Sequence, residues 1–329
     1  MTTITRTTRR GVLAAGLGLP LIAPGLARAQ GGWPGERPIQ IIVPFPPGGG
    51  TDVNLRAMTS HFERHLPGAR FVVVNRPGAG AEIGYTAAAT AAPDGYTIGT
   101  VITPSLQTIT IERQPRYTLD GFFYLGTIVA DPSGFHVAPN SELRSVADLV
   151  AAAKARPGAI SVGTAGIGSD DHLLIVELEN AAGIRLNHIP FAGQAPTVNA
   201  LIGGHIQVAS MNMGESVALI RDGQVRPLAT AGQQRFAMTP AVPTFAEGGY
   251  PLTTGVVRSL VVPAATPEPI RTRLAAMVAA TMNDPVWIAE AERLFIPLHY
   301  MGPAETRALV MREAARLREV WQQRPWRDS

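Results

Sequence analysis

The chain has 329 residues, 46% of them hydrophobic, no cysteine, and a formal net charge of +3. Without cysteine there is no disulfide framework, no thiol chemistry and no lipid-bearing residue, so stability must come from a core. Arg6, Arg9, Arg10 and Arg28 all fall in the first 29 residues, and without them 28 basic residues become 24 against 25 acidic, a formal charge of −1 that offers nucleic acid or an anionic membrane no attraction.

Residues 1–29 read as an export signal. Thr8-Arg9-Arg10-Gly11-Val12-Leu13 precedes an apolar run, and Ala27-Arg28-Ala29 is a small-residue cleavage site that would leave Gln30 first. The paired arginines fit the twin-arginine route, with general secretion as the competing reading. Pro20 and Pro24 interrupt an apolar stretch shorter than the roughly 20 residues a spanning helix needs. A free periplasmic protein is expected, and about 300 mature residues at about 150 per domain suggest two domains.

The mature sequence alternates β-rich runs with helical patterns, which predicts an α/β fold with a mostly parallel sheet. Ile39 to Phe45 reads as a strand and Thr51 to Leu66 as a helix, with Leu55, Met58 and Phe62 at helical spacing. Between them runs Pro44-Phe45-Pro46-Pro47-Gly48-Gly49-Gly50-Thr51-Asp52. Prolines stiffen the exit from the strand, glycines permit positive φ and close approach to a ligand, and Thr51 offers an N-cap hydroxyl. The free N–H groups of the helix start would make this loop an anion cradle for a carboxylate or phosphate; a ligand-free connector is the competing reading. No Lys-Ser or Lys-Thr closes the turn as a Walker A motif needs, and Lys154 is the only lysine. Gly78-Ala79-Gly80 with Gly84 lacks the acidic residue of a dinucleotide fingerprint. No nucleotide and no cofactor are expected.

Further strands are predicted at Phe71 to Asn75 and Thr97 to Ile102, flanking an alanine-rich helix at Glu82 to Ala92. After a strand at Phe122 to Val129 the pattern restarts near Asp131, with Phe135 to Ala138, a helix near Ser145 to Ala155 and the strand Ala159 to Gly163. Thr164-Ala165-Gly166-Ile167-Gly168-Ser169 is a second glycine loop, with Ser169 as candidate N-cap and Leu173, Leu174 and Leu178 behind it. Two helix N-termini, one from each half, could converge on one anion across a cleft. Val225 to Ala229 and Val256 to Val262 read as strands, and Pro267 to Met282 and Pro303 to Gln322 as helices.

Arg37-Pro38-Ile39, the Pro44 to Asp52 loop, Asn75-Arg76-Pro77-Gly78-Ala79-Gly80, Pro93-Asp94-Gly95-Tyr96-Thr97, Gly166-Ile167-Gly168-Ser169 with His172-Leu173, and Pro243-Thr244 with Glu247 and Gly249 occur in this order. Together, from about Pro34 to Gly302, they resemble the periplasmic receptors of tripartite tricarboxylate transporters, the Bug receptors. The resemblance implies a type II-like periplasmic-binding-protein fold with two α/β domains closing over a small carboxylate, and a chain that returns to its first domain. The division it implies is 30–130 plus 253–329 for the first domain and 131–252 for the second. By position, the carboxylate would meet backbone amides of Gly48, Gly49, Gly50, Thr51 and Asp52, with Phe45 and Pro46 at the entrance and Thr164, Gly166, Ile167, Gly168 and Ser169 opposite. Leu55, Ala81-Glu82 and Phe191-Ala192-Gly193 depart from the family pattern. The implied partners are transmembrane transporter subunits and the implied state a monomer; a periplasmic sensor acting on a membrane signalling partner is the alternative.

Other chemistry is weaker. His61 and His65 share a helix face, but Glu63 is not placed as in His-Glu-x-x-His, so a solvated face is expected rather than a metal site. No Gly-x-Ser-x-Gly elbow and no Ser-His-Asp spacing is present, so no enzyme is expected. His172 lies in the first turn behind Ser169, open to ligand, capping or packing roles. Asp170 and Asp171 occupy the same turn, where acids favour the helix dipole by about 0.3 to 1 kcal/mol each. Beside an anion site they also oppose a further ligand carboxylate, which favours an amino acid or nitrogen-bearing aromatic acid over citrate.

Overall fold

The computed structural model describes residues 32–323, 325 and 326; the export signal lies outside them. The first half begins with β1 (Ile39–Val43), α1 (Gly50–His65), β2 (Phe71–Asn75), α2 (Glu82–Ala89), β3 (Thr97–Thr103) and α3 (Ser105–Glu112). Strand β4 (Phe122–Val137) leads to α4 (Val146–Ala155), β5 (Ser161–Thr164), α5 (Asp170–Ala182), β6 (Asn187–Pro190), α6 (Gln194–Ile202), β7 (Val208–Asn212), α7 (Met213–Arg221) and β8 (Arg226–Thr230). The chain returns through β9 (Gly255–Pro263) to α8 (Glu268–Met282), α9 (Pro285–Arg293), β10 (Leu298–Met301) and α10 (Pro303–Gln323).

The strand order is β2-β1-β3-β9-β4-β7-β5-β6, with β8 and β10 also on β4. The outer ladders are parallel, β1 with β2 and β3, and β5 with β6 and β7. Those made by β9 with β3 and by β4 with β7, β8, β9 and β10 are antiparallel. The expectation of a mostly parallel sheet is therefore corrected: the centre is built by two strands that run between the halves in opposite directions. The two short strands expected on either side of Asp131 are one 16-residue strand. Pro132 and Gly134 lie within it, paired in continuous register with Gly255 and Met211.

Helices cover both faces of the first sheet. Leu55, Met58 and Phe62 of α1 pack with Leu274, Met277 and Val278 of α8 and Trp287 of α9 on Ile39, Ile41 and Val43. Tyr85 and Ala88 of α2, Leu106 and Ile109 of α3, and Val310 and Ala314 of α10 cover the other face. The second half buries Leu149 of α4 and Leu174, Ile175 and Leu178 of α5 against Phe135, Val162 and Val208. Burying each such side chain contributes about 1.5–3 kcal/mol. The helix ends follow local chemistry: Ser145 caps α4 by accepting from Asp148 N, while Asp148 Oδ2 accepts from Arg144 N at 2.9 Å. Gly183 ends α5 at φ +62°.

Candidate functional site

The loop after β1 folds back on its own helix. Gly48 has φ +87°, and its N–H donates to Asp52 Oδ2 at 3.0 Å. Asp52 also accepts from Arg56 Nε at 3.0 Å and Asn75 Nδ2 at 2.9 Å, and Asn75 Nδ2 donates to the Phe45 carbonyl at 3.0 Å. Burial raises the Asp52 pKa, but the hydrogen bonds from Arg56, Gly48 and Asn75 outweigh it and hold the carboxyl below its ordinary value. Its charge thus braces the loop. Gly49, not Thr51, is the N-cap of α1, and no side chain caps the helix. Thr51 Oγ1 is directed elsewhere, accepting from Arg258 Nε at 3.1 Å.

The loop before α5 is closed on itself. Ser169 caps as predicted, Oγ accepting from His172 N at 3.2 Å and donating to the Gly166 carbonyl at 2.8 Å. Gly166 N donates to Thr164 Oγ1 at 3.2 Å, and Gly168 N to His172 Nδ1 at 3.1 Å. The two loops are therefore unequal: the start of α1 is open, while α5 carries its own acceptors.

Both face one cavity of about 50 Å³, to which the first loop contributes Phe45, Gly49, Gly50 and Thr51 and the second Gly166, Ile167, Ser169, Asp170 and Asp171. Pro46 and Gly48 line adjoining cavities on either side. Asp52, Thr164, Gly168 and His172 stand behind these walls. His172 stacks on His188 with centroids 3.9 Å apart at 13°. Burial lowers the two imidazoles to about 3 and about 4, so both are neutral at physiological pH.

The floor is made by residues that the sequence reading passed over. Arg258 of β9 is 2% exposed; besides Thr51, it pairs through Nη2 with Glu215 of α7, whose carboxylate lies where a Cβ on Gly50 would collide with it. Asp131 stands 3.9 Å from Arg258 Nη1 and accepts from Gly214 N at 2.8 Å. Burial pushes Asp131 up to about 7, raises Asp170 and Glu215, and raises Asp171 well above the usual carboxylate range. One signal could have found this floor: Arg258 is a lone charge inside the apolar run Val256 to Val262, and an arginine in a buried strand needs partners.

Among the described residues, no group of three His, Cys, Asp or Glu is placed to hold a metal ion. His61 meets Glu290 at 2.8 Å and His65 meets Asp284 at 3.0 Å, so each histidine of the predicted pair has its own acidic partner. No helix among the described residues is long and apolar enough to cross a membrane.

The description "Tripartite tricarboxylate transporter family receptor" matches residues 55–324. This chain belongs to that family. Protein BugT of Bordetella pertussis is 37% identical over 226 residues, 65% of this chain and 67% of the relative. A Cupriavidus necator protein named for the gbd 5′ region is 30% identical over 300 residues, 89% of each chain. Among solved structures, the periplasmic binding protein BugD is 28% identical with a TM-score of 0.80 over 88% of this chain and 97% of its own. A Rhodopseudomonas palustris protein solved with adipate is 28% identical with a TM-score of 0.82 over the same shares. The tripartite tricarboxylate transporter receptors are periplasmic solute-binding proteins, and this receptor is one of them rather than an enzyme.

Proposed function

We propose that this receptor captures a small organic carboxylate between residues 30–130 plus 253–329 and residues 131–252, and presents it as a monomer to the transmembrane subunits of a tripartite tricarboxylate-type transporter. The observation that carries this reading is the uncapped N-terminus of α1 opening on a cavity that the α5 loop faces. First-turn amides without a capping side chain, at the positive end of a helix dipole, suit a carboxylate. The adipate-bound relative supports the ligand class. Export through the signal at residues 1–29, cleaved after Ala29, would place it in the periplasm.

Mass spectrometry of ligand carried through native purification, followed by scattering with and without that ligand, tests the reading. A retained organic acid and a smaller radius of gyration in its presence are expected. An acid that binds without contraction would remove the closure between the halves, and capture of only non-acidic ligands would remove the carboxylate.

A further inference from the structure

The cavity has a second set of walls beyond the two loops. Asp171 of α5, Glu215 of α7, Gln194 of α6 and Arg258 of β9 line it beside Gly50 and Thr51. Arg258 is almost completely buried, yet its Nη1 has no hydrogen-bond partner, and neither Oε1 nor Nε2 of Gln194 has one. Buried polar groups left unpaired cost about 1–3 kcal/mol each. Arg258 Nη1 faces only the Asp131 carboxylate at 3.9 Å, and the unpaired donor and acceptor of Gln194 on the same cavity are accounted for by a ligand that accepts at one end and donates at the other.

The acids favour the same conclusion. Asp170 is occupied, its Oδ2 accepting from Ser133 Oγ and Asn212 Nδ2 at 2.7 Å each. Asp171 holds only long contacts, from Ser210 Oγ at 3.3 Å and Ala165 N at 3.4 Å. Glu215 gives one oxygen to Arg258. A carboxylate offers about four acceptor sites, so both Asp171 and Glu215 retain capacity. Three carboxyl groups and one guanidinium line this space. A second ligand carboxylate would meet like charge there, whereas an ammonium would complete the set.

We propose that the cleft takes an amine-bearing carboxylic acid, with its carboxylate at the α1 amides and Arg258 and its ammonium received by Asp171 and Glu215, in preference to a dicarboxylate of similar length. This rests on the carboxylate reading above and specifies the ligand's other end. Asp171, which holds only long contacts, is the selective element, while Glu215 already has Arg258 as its partner.

Titration calorimetry with two pairs of probes decides it: adipate against ε-aminocaproate, and succinate against γ-aminobutyrate. In at least one pair the amine member should bind about tenfold tighter or better, the scale of one well-placed charge pair. Glu215→Gln and Asp171→Asn, confirmed folded by circular dichroism, should bring the ratio within about threefold of unity. Diacids binding as tightly as their amine counterparts in both wild-type pairs overturns this inference while leaving the carboxylate reading standing. Binding of neither kind overturns this inference, and an unchanged ratio in both variants removes Asp171 and Glu215 as the ammonium's acceptors.

Discussion

Arg258 ties Thr51 to Glu215. Its Nε donates to the Thr51 hydroxyl at the start of α1, and its Nη2 pairs with the Glu215 carboxylate on α7, so one guanidinium on β9 connects the two sides of the cavity. Asp131, on β4, stands behind the same group.

Arg258→Met should therefore destabilise the protein by about 3–5 kcal/mol, because it leaves buried carboxyls without their cation rather than merely deleting an attraction. Urea unfolding measures this. A loss below about 1 kcal/mol would mean that the acids are neutral or solvated, and that Arg258 is not what holds them.

Gly49→Val should leave the fold intact and weaken carboxylate binding by about tenfold or more. The nearest atom to a Cβ at Gly49 is the Pro46 carbonyl oxygen at 4.0 Å, so the protein has room for it, while a β-branched group would stand over the amides of α1. Unchanged affinity for the retained acid, in a variant with wild-type melting, would move the anion site away from this loop.

Asp131→Asn tests the buried charge by pH. Burial raises the folded Asp131 to about 7 from 3.8. A raised folded value means that its contribution is fully present below the unfolded value and is lost as pH rises through the folded one. Wild type should thus lose stability from this group between about pH 4 and 7, by at most about 1.4 kcal/mol per unit. Asparagine keeps an acceptor for Gly214 N and removes the titration, so the variant's stability relative to wild type should climb across that window and level off above it. A flat difference would show that Asp131 keeps an ordinary pKa.

Replacing Arg9 and Arg10 together by lysine should leave precursor in the cytoplasm, as read by fractionation and immunoblotting. Normal periplasmic accumulation would point to general secretion instead. Both residues lie outside the described part of the chain.

Much of this arrangement is legible in the residues. Both glycine loops, the Ser169 cap and the strand Phe71–Asn75 stand where the pattern puts them, because each depends on local chemistry: backbone freedom, an N-cap oxygen, or a run of β-branched residues. What escapes is non-local. Strand β7, Val-Ala-Ser-Met-Asn, has little β-branched character, and its burial comes from its neighbours β4 and β5. Helix α6 is nine residues with Pro196 in its first turn, too short for a periodic signal. Gly49 stands as N-cap in place of Thr51, whose hydroxyl instead accepts from Arg258, 207 positions away. Glu215 near the start of a helix reads as an ordinary dipole partner, and only the fold sets it against Gly50.

The position of β9 between β3 and β4 has a consequence for how the chain is made. Emerging from the ribosome, β1, β2, β3 and β4 appear early, but β3 and β4 do not pair with each other; each pairs with β9, more than a hundred residues later. The first half's sheet thus remains split, with two unpaired edges, until the whole second half has been translated. Such distant pairing slows folding and prolongs exposure of apolar edges. Completion of the N-terminal half is a late event, timed by the delivery of one strand near the C-terminal end.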